Sequence, residues 1–299
     1  MPDRGRALEF GANADPLAAD PGLAARVART AETAGLDLVG VQDHPYNRGF
    51  LDTWTLLASL VPQTQRVRVF PDVANLPLRP PAMLAKAAAT LDVLSGGRFE
   101  LGLGAGAFWD AIGALGAPVR RPGEALVALE EAVQVIRLYW SGQRGIRFAG
   151  RHYTLAGAQP GPLPAHPIGI WLGVMGPRAL ALAGRLADGV VWSTSYVPPA
   201  RLTEMNARVD EAAEAAGRAP GQVRRVYNLM GLIGGGPGTE GLSGPVARWV
   251  DELSGYAWEH GVDTFIFWPL HDPIPQLERF GQEIAPAVRE AVARARATA

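Results

Sequence analysis

The sequence predicts a (β/α)₈ barrel, and three observations carry that prediction. Short apolar runs suited to buried parallel strands alternate with longer stretches of helical periodicity along the whole chain. About eight such strand–helix pairs fit into 299 residues, which is the arithmetic of a closed barrel. Prolines open several of the helices and glycines end them. A doubly wound parallel sheet, built from the same alternation, is the rival architecture.

In chain order, the strands are expected at 8–11, 37–42, 67–70, 99–103, 168–172, 189–192, 226–232 and 263–268, each a short run dominated by Val, Leu, Ile, Phe or Trp. The helices between them are expected at 21–34, 53–61, 80–94, 122–140, 177–186, 199–216, 244–260 and 275–297. Pro21, Pro80, Pro81, Pro122, Pro177, Pro198 and Pro199 stand where a first helical turn tolerates a residue with fixed φ and no amide hydrogen. Gly35, Gly96, Gly217 and Gly261 stand where helices must stop and turn toward the next strand. Two stretches interrupt the cycle. Residues 141–167 hold Arg144, Arg147, Arg151, Phe148 and Tyr153 followed by a Pro/Gly run, too long for a plain turn; they read as an insertion between the fourth helix and the fifth strand. Residues 234–244 are glycine-dense and read as a flexible loop after the seventh strand, with a lid as the functional alternative. Residues 1–299 are read as one barrel domain.

Composition narrows the function. At 48% hydrophobic and 19% charged residues, the chain has apolar surface for a sizeable core. Its 28 basic residues, all arginine except Lys86, meet 29 acidic ones, so a sequence-independent grip on nucleic acid is not expected. The absence of cysteine removes disulfides, thiolate nucleophiles and Cys-type metal sites. No metal site is expected from the His and carboxylate spacings, and no Gly-x-Ser-x-Gly elbow is present. The first eleven residues carry two arginines but no apolar segment, and no apolar run approaches the roughly 18 residues of a membrane span. The expectation is a cytoplasmic protein acting on a small molecule.

In a barrel the chemistry sits in the loops that follow the strands. After the second strand, Gln42-Asp43-His44-Pro45-Tyr46 places a carboxylate beside an imidazole, a candidate proton-handling pair. After the third, Asn75 lies in proline-dense backbone and offers both donor and acceptor to a planar heterocycle. After the fourth, Gly102-Leu103-Gly104-Ala105-Gly106-Ala107-Phe108-Trp109 lets a flat ligand approach the backbone; the same glycines can equally be tight turns. After the fifth, Gly173-Val174-Met175-Gly176-Pro177-Arg178 opens a helix whose free amides, dipole and cationic Arg178 suit a phosphate. Tyr46, Trp109, Trp192 and Trp268 are candidates for lining a substrate pocket, and Tyr196 for excluding water. His152, His166, His260 and His271 carry no comparable signal.

These stretches resemble the luciferase-like flavin-dependent oxidoreductases, which include deazaflavin-dependent reductases similar to methylenetetrahydromethanopterin reductase. The resemblance covers about residues 8–290 and is most specific over 85–106, where the chain reads Thr90-Leu91-Asp92-Val93-Leu94-Ser95-Gly96-Gly97-Arg98-Phe99-Glu100-Leu101-Gly102-Leu103-Gly104-Ala105-Gly106. Ala74 through Pro81, Gly176-Pro177-Arg178-Ala179-Leu180 and Ala187-Asp188-Gly189 are also similar. The resemblance implies a TIM barrel holding coenzyme F-420 or FMN. The phosphate would lie at Gly173 to Arg178, and the ring near Asp43, His44, Asn75 and Gly104. It also implies a non-proline cis peptide around Asp72–Val73, and a homodimer through helices near strands two and three. Many FMN-using relatives carry Glu-His-His where this chain has Gln42-Asp43-His44, which is closer to the deazaflavin enzymes. The expected activity is hydride transfer between the cofactor and a small organic substrate, with His44, partnered by Asp43, handling the proton. An FMN-dependent monooxygenase is the alternative within the family. Outside it, the alternatives are a cofactor-free lyase or isomerase acting on a phosphorylated substrate and a cofactor-binding relative without turnover. Substrate choice would fall to 46–51, 141–167 and 234–244.

Overall fold

The computed structural model describes residues 3–236 and 239–298. The chain runs β1 (Glu9–Asn13), α1 (Leu23–Thr33), β2 (Leu38–Val41), α2 (Thr53–Leu60), β3 (Arg68–Pro71), β4 (Ala74–Asn75), α3 (Pro81–Ser95), β5 (Leu101–Gly104), α4 (Trp109–Ala114) and α5 (Pro122–Tyr139). It continues with β6 (Ile146–Ala149), β7 (Thr154–Ala158), β8 (Ile170–Gly173), α6 (Pro177–Leu186), β9 (Gly189–Ser193), α7 (Leu202–Ala215), β10 (Arg224–Ile233), β11 (Leu242–Gly244), α8 (Val246–His260), β12 (Thr264–Pro269), α9 (Pro273–Arg279) and α10 (Ala285–Thr298). Among the described residues, no helix is long and apolar enough to cross a membrane.

Parallel pairing runs β3-β2-β1-β12-β10-β9-β8-β5-β4. β3 and β4 are two pieces of one stave, the first bonded to β2 and the second to β5. Val69 on β3 also donates its N–H to the Arg98 carbonyl (2.9 Å) and accepts from the Glu100 N–H (3.1 Å), just ahead of β5. The ring of eight staves is therefore closed, which excludes the doubly wound rival. The prolines and glycines act as expected in several places. Pro81, Pro122 and Pro177 open their helices, and Gly96 and Gly261 cap α3 and α8 at φ of 68° and 66°.

Several parts differ from the sequence reading, among them the short helix α4, which was not expected. The 141–167 insertion contains an antiparallel hairpin, β6–β7, in which Ile146 is buried and Phe148 and Leu155 half-buried between exposed neighbours. The Glu131 carboxylate on α5 holds its turn by accepting from the amides of Arg151, His152 and Tyr153. The expected long last helix is broken by a π-turn over Phe280–Ile284, where a Cβ on Gly281 would collide with the Ala34 carbonyl. In the 234–244 loop, Pro237 and Gly238 lie outside the described residues, and Leu242–Gly244 forms β11 on the end of β10. The alanine face of α3 is used at home: Ala85, Ala88 and Ala89 are buried in the barrel's own core.

Side chains alternate across a strand, so every second residue of each stave points into the barrel. Inside, they form layers. The lowest is charged: Arg68 pairs with Glu9 (2.7 Å) and Glu100 (2.8 Å), and Arg224 with Glu9 (2.8 Å). Two residues up is an apolar layer of Leu38, Phe70, Trp171, Val226 and Ile266. Two residues above these stand Gly40, Asp72, Gly173, Asn228 and Trp268, at the mouth. Glycine is required where the third stave crowds its neighbours: a Cβ on Gly102 would collide with the Pro71 carbonyl oxygen. Gly102→Ala is expected to lower stability by about 2–3 kcal/mol in urea denaturation, because the obstacle is backbone. Gly123→Ala in the first turn of α5, where the added methyl meets open space, should leave stability unchanged or raise it by up to about 1 kcal/mol.

Candidate active site

The mouth takes its shape from the third stave. β3 stops at Pro71, the Asp72–Val73 peptide bond is cis as the resemblance implies, and β4 resumes at Ala74. Val73 fills the space that side chains at positions 104 and 173 would occupy: a Cβ at either would lie 2.9 Å from Val73 Cγ2. Above it opens a cavity of about 880 Å³. That volume is within the range of small-molecule and cofactor sites.

Asp43, His44, Tyr46, Asn75, Gly104, Gly106, Trp109, Gly173, Val174, Met175, Gly176, Trp192 and Trp268, all singled out from sequence, line this cavity. Pro177 and Arg178 do not: Pro177 is the first residue of α6, and Arg178 is exposed beyond the lining. His271, too, is an exposed loop residue.

Asp43 does not form the expected pair with His44. Both of its oxygens are held by Arg79, at 2.9 Å from Nε and 3.0 Å from Nη2, and Oδ2 also accepts from the Asn75 N–H at 3.0 Å. Its side chain is 1% exposed, and Arg79 bonds Asp52 as well. A buried carboxylate gripped bidentately by a guanidinium is held in a fixed orientation. Its role is to fix the β2 end to the β4 end, which sets Asn75 in place.

His44 has a different partner. Its Nδ1 lies 2.7 Å from the Tyr46 hydroxyl, and its ring packs edge-on against Tyr46 and Phe108 at centroid distances of 5.5 and 5.7 Å. Burial holds the imidazole below its ordinary pKa, against a smaller opposing pull from the Asp43 charge. Burial likewise pushes the Tyr46 hydroxyl up to about 12. At neutral pH both are uncharged, and the hydrogen bond at Nδ1 leaves Nε2 as the nitrogen free to meet a ligand.

At the other end of the cavity, α6 begins without a side-chain cap. Leu180 is the first residue whose amide reaches an acceptor within this turn, Gly176 O at 2.9 Å. The Arg178 and Ala179 amides therefore point out of the helix end, and Gly176 and Ala179 line the cavity beside them. Unpaired amides at a helix start carry the positive end of its dipole.

Sequence reasoning missed Asp72, Asn228, Ser193, Ser195 and Met230, which also line the cavity. A polar residue inside an otherwise apolar strand, Asn228 in β10, was the available signal. Asp72 sits under the mouth, and burial pushes its carboxyl up to about 6.

The closed eight-stave barrel thus brings an uncapped helix terminus and a glycine-backed shelf together at its C-terminal mouth. The profile of the luciferase-like monooxygenase family matches residues 7–234, and the chain belongs to that family. An F420-dependent glucose-6-phosphate dehydrogenase of Kineococcus radiotolerans is 31% identical over 75% of this chain and 68% of its own length. A 5,10-methylenetetrahydromethanopterin reductase of Archaeoglobus fulgidus is 32% identical over 64% of this chain and 54% of its own length. The chain thus spans roughly half to two thirds of these relatives. The structure of an F420-dependent secondary alcohol dehydrogenase bound to an F420–acetone adduct superposes with a TM-score of 0.85 at 20% identity, covering 95% of this chain and 99% of that one.

Removing the guanidinium should expose the anchoring role of the Asp43–Arg79 pair. Arg79→Ala leaves a buried, unpaired carboxylate and is expected to lower stability by about 3 kcal/mol in denaturant titration. Arg79→Lys, which cannot reproduce the fork, should recover only part of that loss.

Proposed function

We propose that this protein is an oxidoreductase that binds coenzyme F-420 at the barrel mouth and transfers a hydride between it and a small organic substrate. That it is an oxidoreductase follows from the family to which it belongs. The observation that carries the cofactor assignment is the pairing, in one cavity, of a glycine-backed shelf at Val73 with the uncapped N-terminus of α6. A flat ring has room against Val73 only because positions 104 and 173 lack side chains. An anionic arm has free backbone donors at the helix end. The F420-dependent relatives favour the deazaflavin over FMN.

The residues fit the group. Val73, Gly104 and Gly173 would support the ring, and Gly176 with the Arg178 and Ala179 amides would hold the phosphate, with Arg178 contributing charge from outside the lining. When bound, the cofactor supplies the hydride chemistry. The chain supplies the rest. Tyr46 orients the imidazole of His44 through Nδ1, so that Nε2 can give or take the substrate proton. Phe108, Trp109, Tyr196 and Trp268 narrow the mouth and keep water from the reacting centre.

Calorimetric titration of the purified protein tests this reading. At least one of F-420 and FMN should bind more tightly than about 100 μM, or about 5.5 kcal/mol; failure of both would sink the assignment. Gly176→Asp sharpens it, because Asp is a good N-cap whose carboxylate would occupy the anion site. That variant should fold at least as stably as the parent while losing cofactor affinity at least tenfold, about 1.4 kcal/mol. His44→Ala should keep cofactor affinity and slow turnover by about 100-fold or more.

A further inference from the structure

The walls of the cavity hold no positive side chain for a second ligand. Among the described residues, its lining includes neither lysine nor arginine. Its ionisable side chains are the carboxyls of Asp43 and Asp72, the His44 imidazole and the phenols of Tyr46 and Tyr196. Arg79, which bonds Asp43 from outside the lining, is engaged by that residue and by Asp52. Under the functional reading above, the free amides at the start of α6 are taken by the cofactor's phosphate and are closed to another anion.

Several polar hydrogens of the walls are engaged as well. Trp192 donates from Nε1 to the Val174 carbonyl at 2.8 Å and Trp268 to the Asp15 carboxyl at 3.4 Å, while the Ser195 hydroxyl is turned to the Met230 sulfur at 2.7 Å. At the outer edge the walls end in large apolar side chains that stand in water. Phe108, Met175 and Tyr196 all line the cavity, and they are 48%, 47% and 62% exposed. Such a group around the rim of a pocket marks a surface that a ligand covers. Phe108 also packs against the rings of His44 and Tyr46, at 5.7 Å from each, so a body resting on the rim meets the imidazole too.

We propose that the substrate of this site is an uncharged organic molecule with an apolar or aromatic body, and that phosphorylated and carboxylated compounds are excluded. The inference rests on the functional reading and deepens it by naming the charge of the substrate. An anion entering the chamber gives up its hydration with no cation there to replace it. It also approaches the phosphate held at α6. An apolar body instead takes Phe108, Met175 and Tyr196 out of water. The selection comes from what the walls withhold as much as from what they offer. It separates this chain from the Kineococcus radiotolerans relative, whose name specifies a phosphorylated sugar as substrate.

The test is calorimetric titration of the intact chain saturated with oxidised F-420, where a ketone binds without turnover. The probes are 4-phenylbutan-2-one, the same ketone bearing a para-carboxylate, and glucose 6-phosphate. The neutral ketone should bind at least about tenfold more tightly than its carboxylate, and glucose 6-phosphate should give no heat of binding. Tyr196→Arg, which sets a cation on the rim, should narrow the ratio between the two ketones by roughly threefold to fivefold, the strength of an exposed ion pair. Leu94→Arg, on an exposed position of α3 outside the lining, should leave the ratio unchanged. With F-420 bound, the proposal alone is overturned by a carboxylate that binds as tightly as the neutral ketone, by binding of glucose 6-phosphate, or by a neutral ketone that does not bind up to its solubility limit. A ratio that shifts equally in Tyr196→Arg and Leu94→Arg overturns the assignment of the rim. Failure of F-420 to saturate the chain overturns the functional reading and this proposal with it.

Discussion

The mouth of this barrel depends on one close contact, Val73 lying where side chains at positions 104 and 173 would otherwise be. Parallel staves sit only about 4.8 Å apart, so a side chain can rise between two of them only if the facing positions are glycine. Three features of the mouth surround that contact. The third stave divides into β3 and β4, Asp72 is delivered to the lumen above Phe70, and Asn75 comes within hydrogen-bonding distance of Asp43. The family-like glycine run and the polar floor are thus two sides of the same contact.

The layered interior explains why the site sits at one end. The lower end of the barrel closes on a network of paired charges, the middle on bulky apolar groups, and at the upper end Asp72, Asn75 and Asn228 each carry an oxygen without a hydrogen-bond partner. The charges of the lowest layer are paired with one another and the middle layer is apolar, so both serve the fold. Conformational stability and binding chemistry are divided along the barrel axis, two residues per step. The Asp43–Arg79 pair marks the boundary: it has the chemistry of a site but both partners are consumed in holding the loop ends together.

Much of this was legible from the amino-acid order, and what was not has physical reasons. The eight-fold alternation and the proline and glycine punctuation located the staves to within a few residues because both are local signals. The β6–β7 hairpin escaped because its strands are only four and five residues long, and the π-turn because it packs against the Ala34 carbonyl at the end of α1, far away in the chain. At the site, the glycine junctions were readable because backbone approach needs glycine. The partnership of Asp43 was not, because its competitor Arg79 lies 36 residues away and adjacency to His44 is the stronger local cue. Asp72 and Asn228 gain meaning only from the register of the staves, which places both one step above the apolar layer.

The central claim is that the shelf at Val73 and the end of α6 are two halves of one cofactor site. A crystal structure of the protein grown with F-420 tests it directly. The account predicts the ring against Val73 and the phosphate on the Gly176, Arg178 and Ala179 backbone. A ring bound outside the barrel mouth, or a phosphate held away from the start of α6, would contradict it.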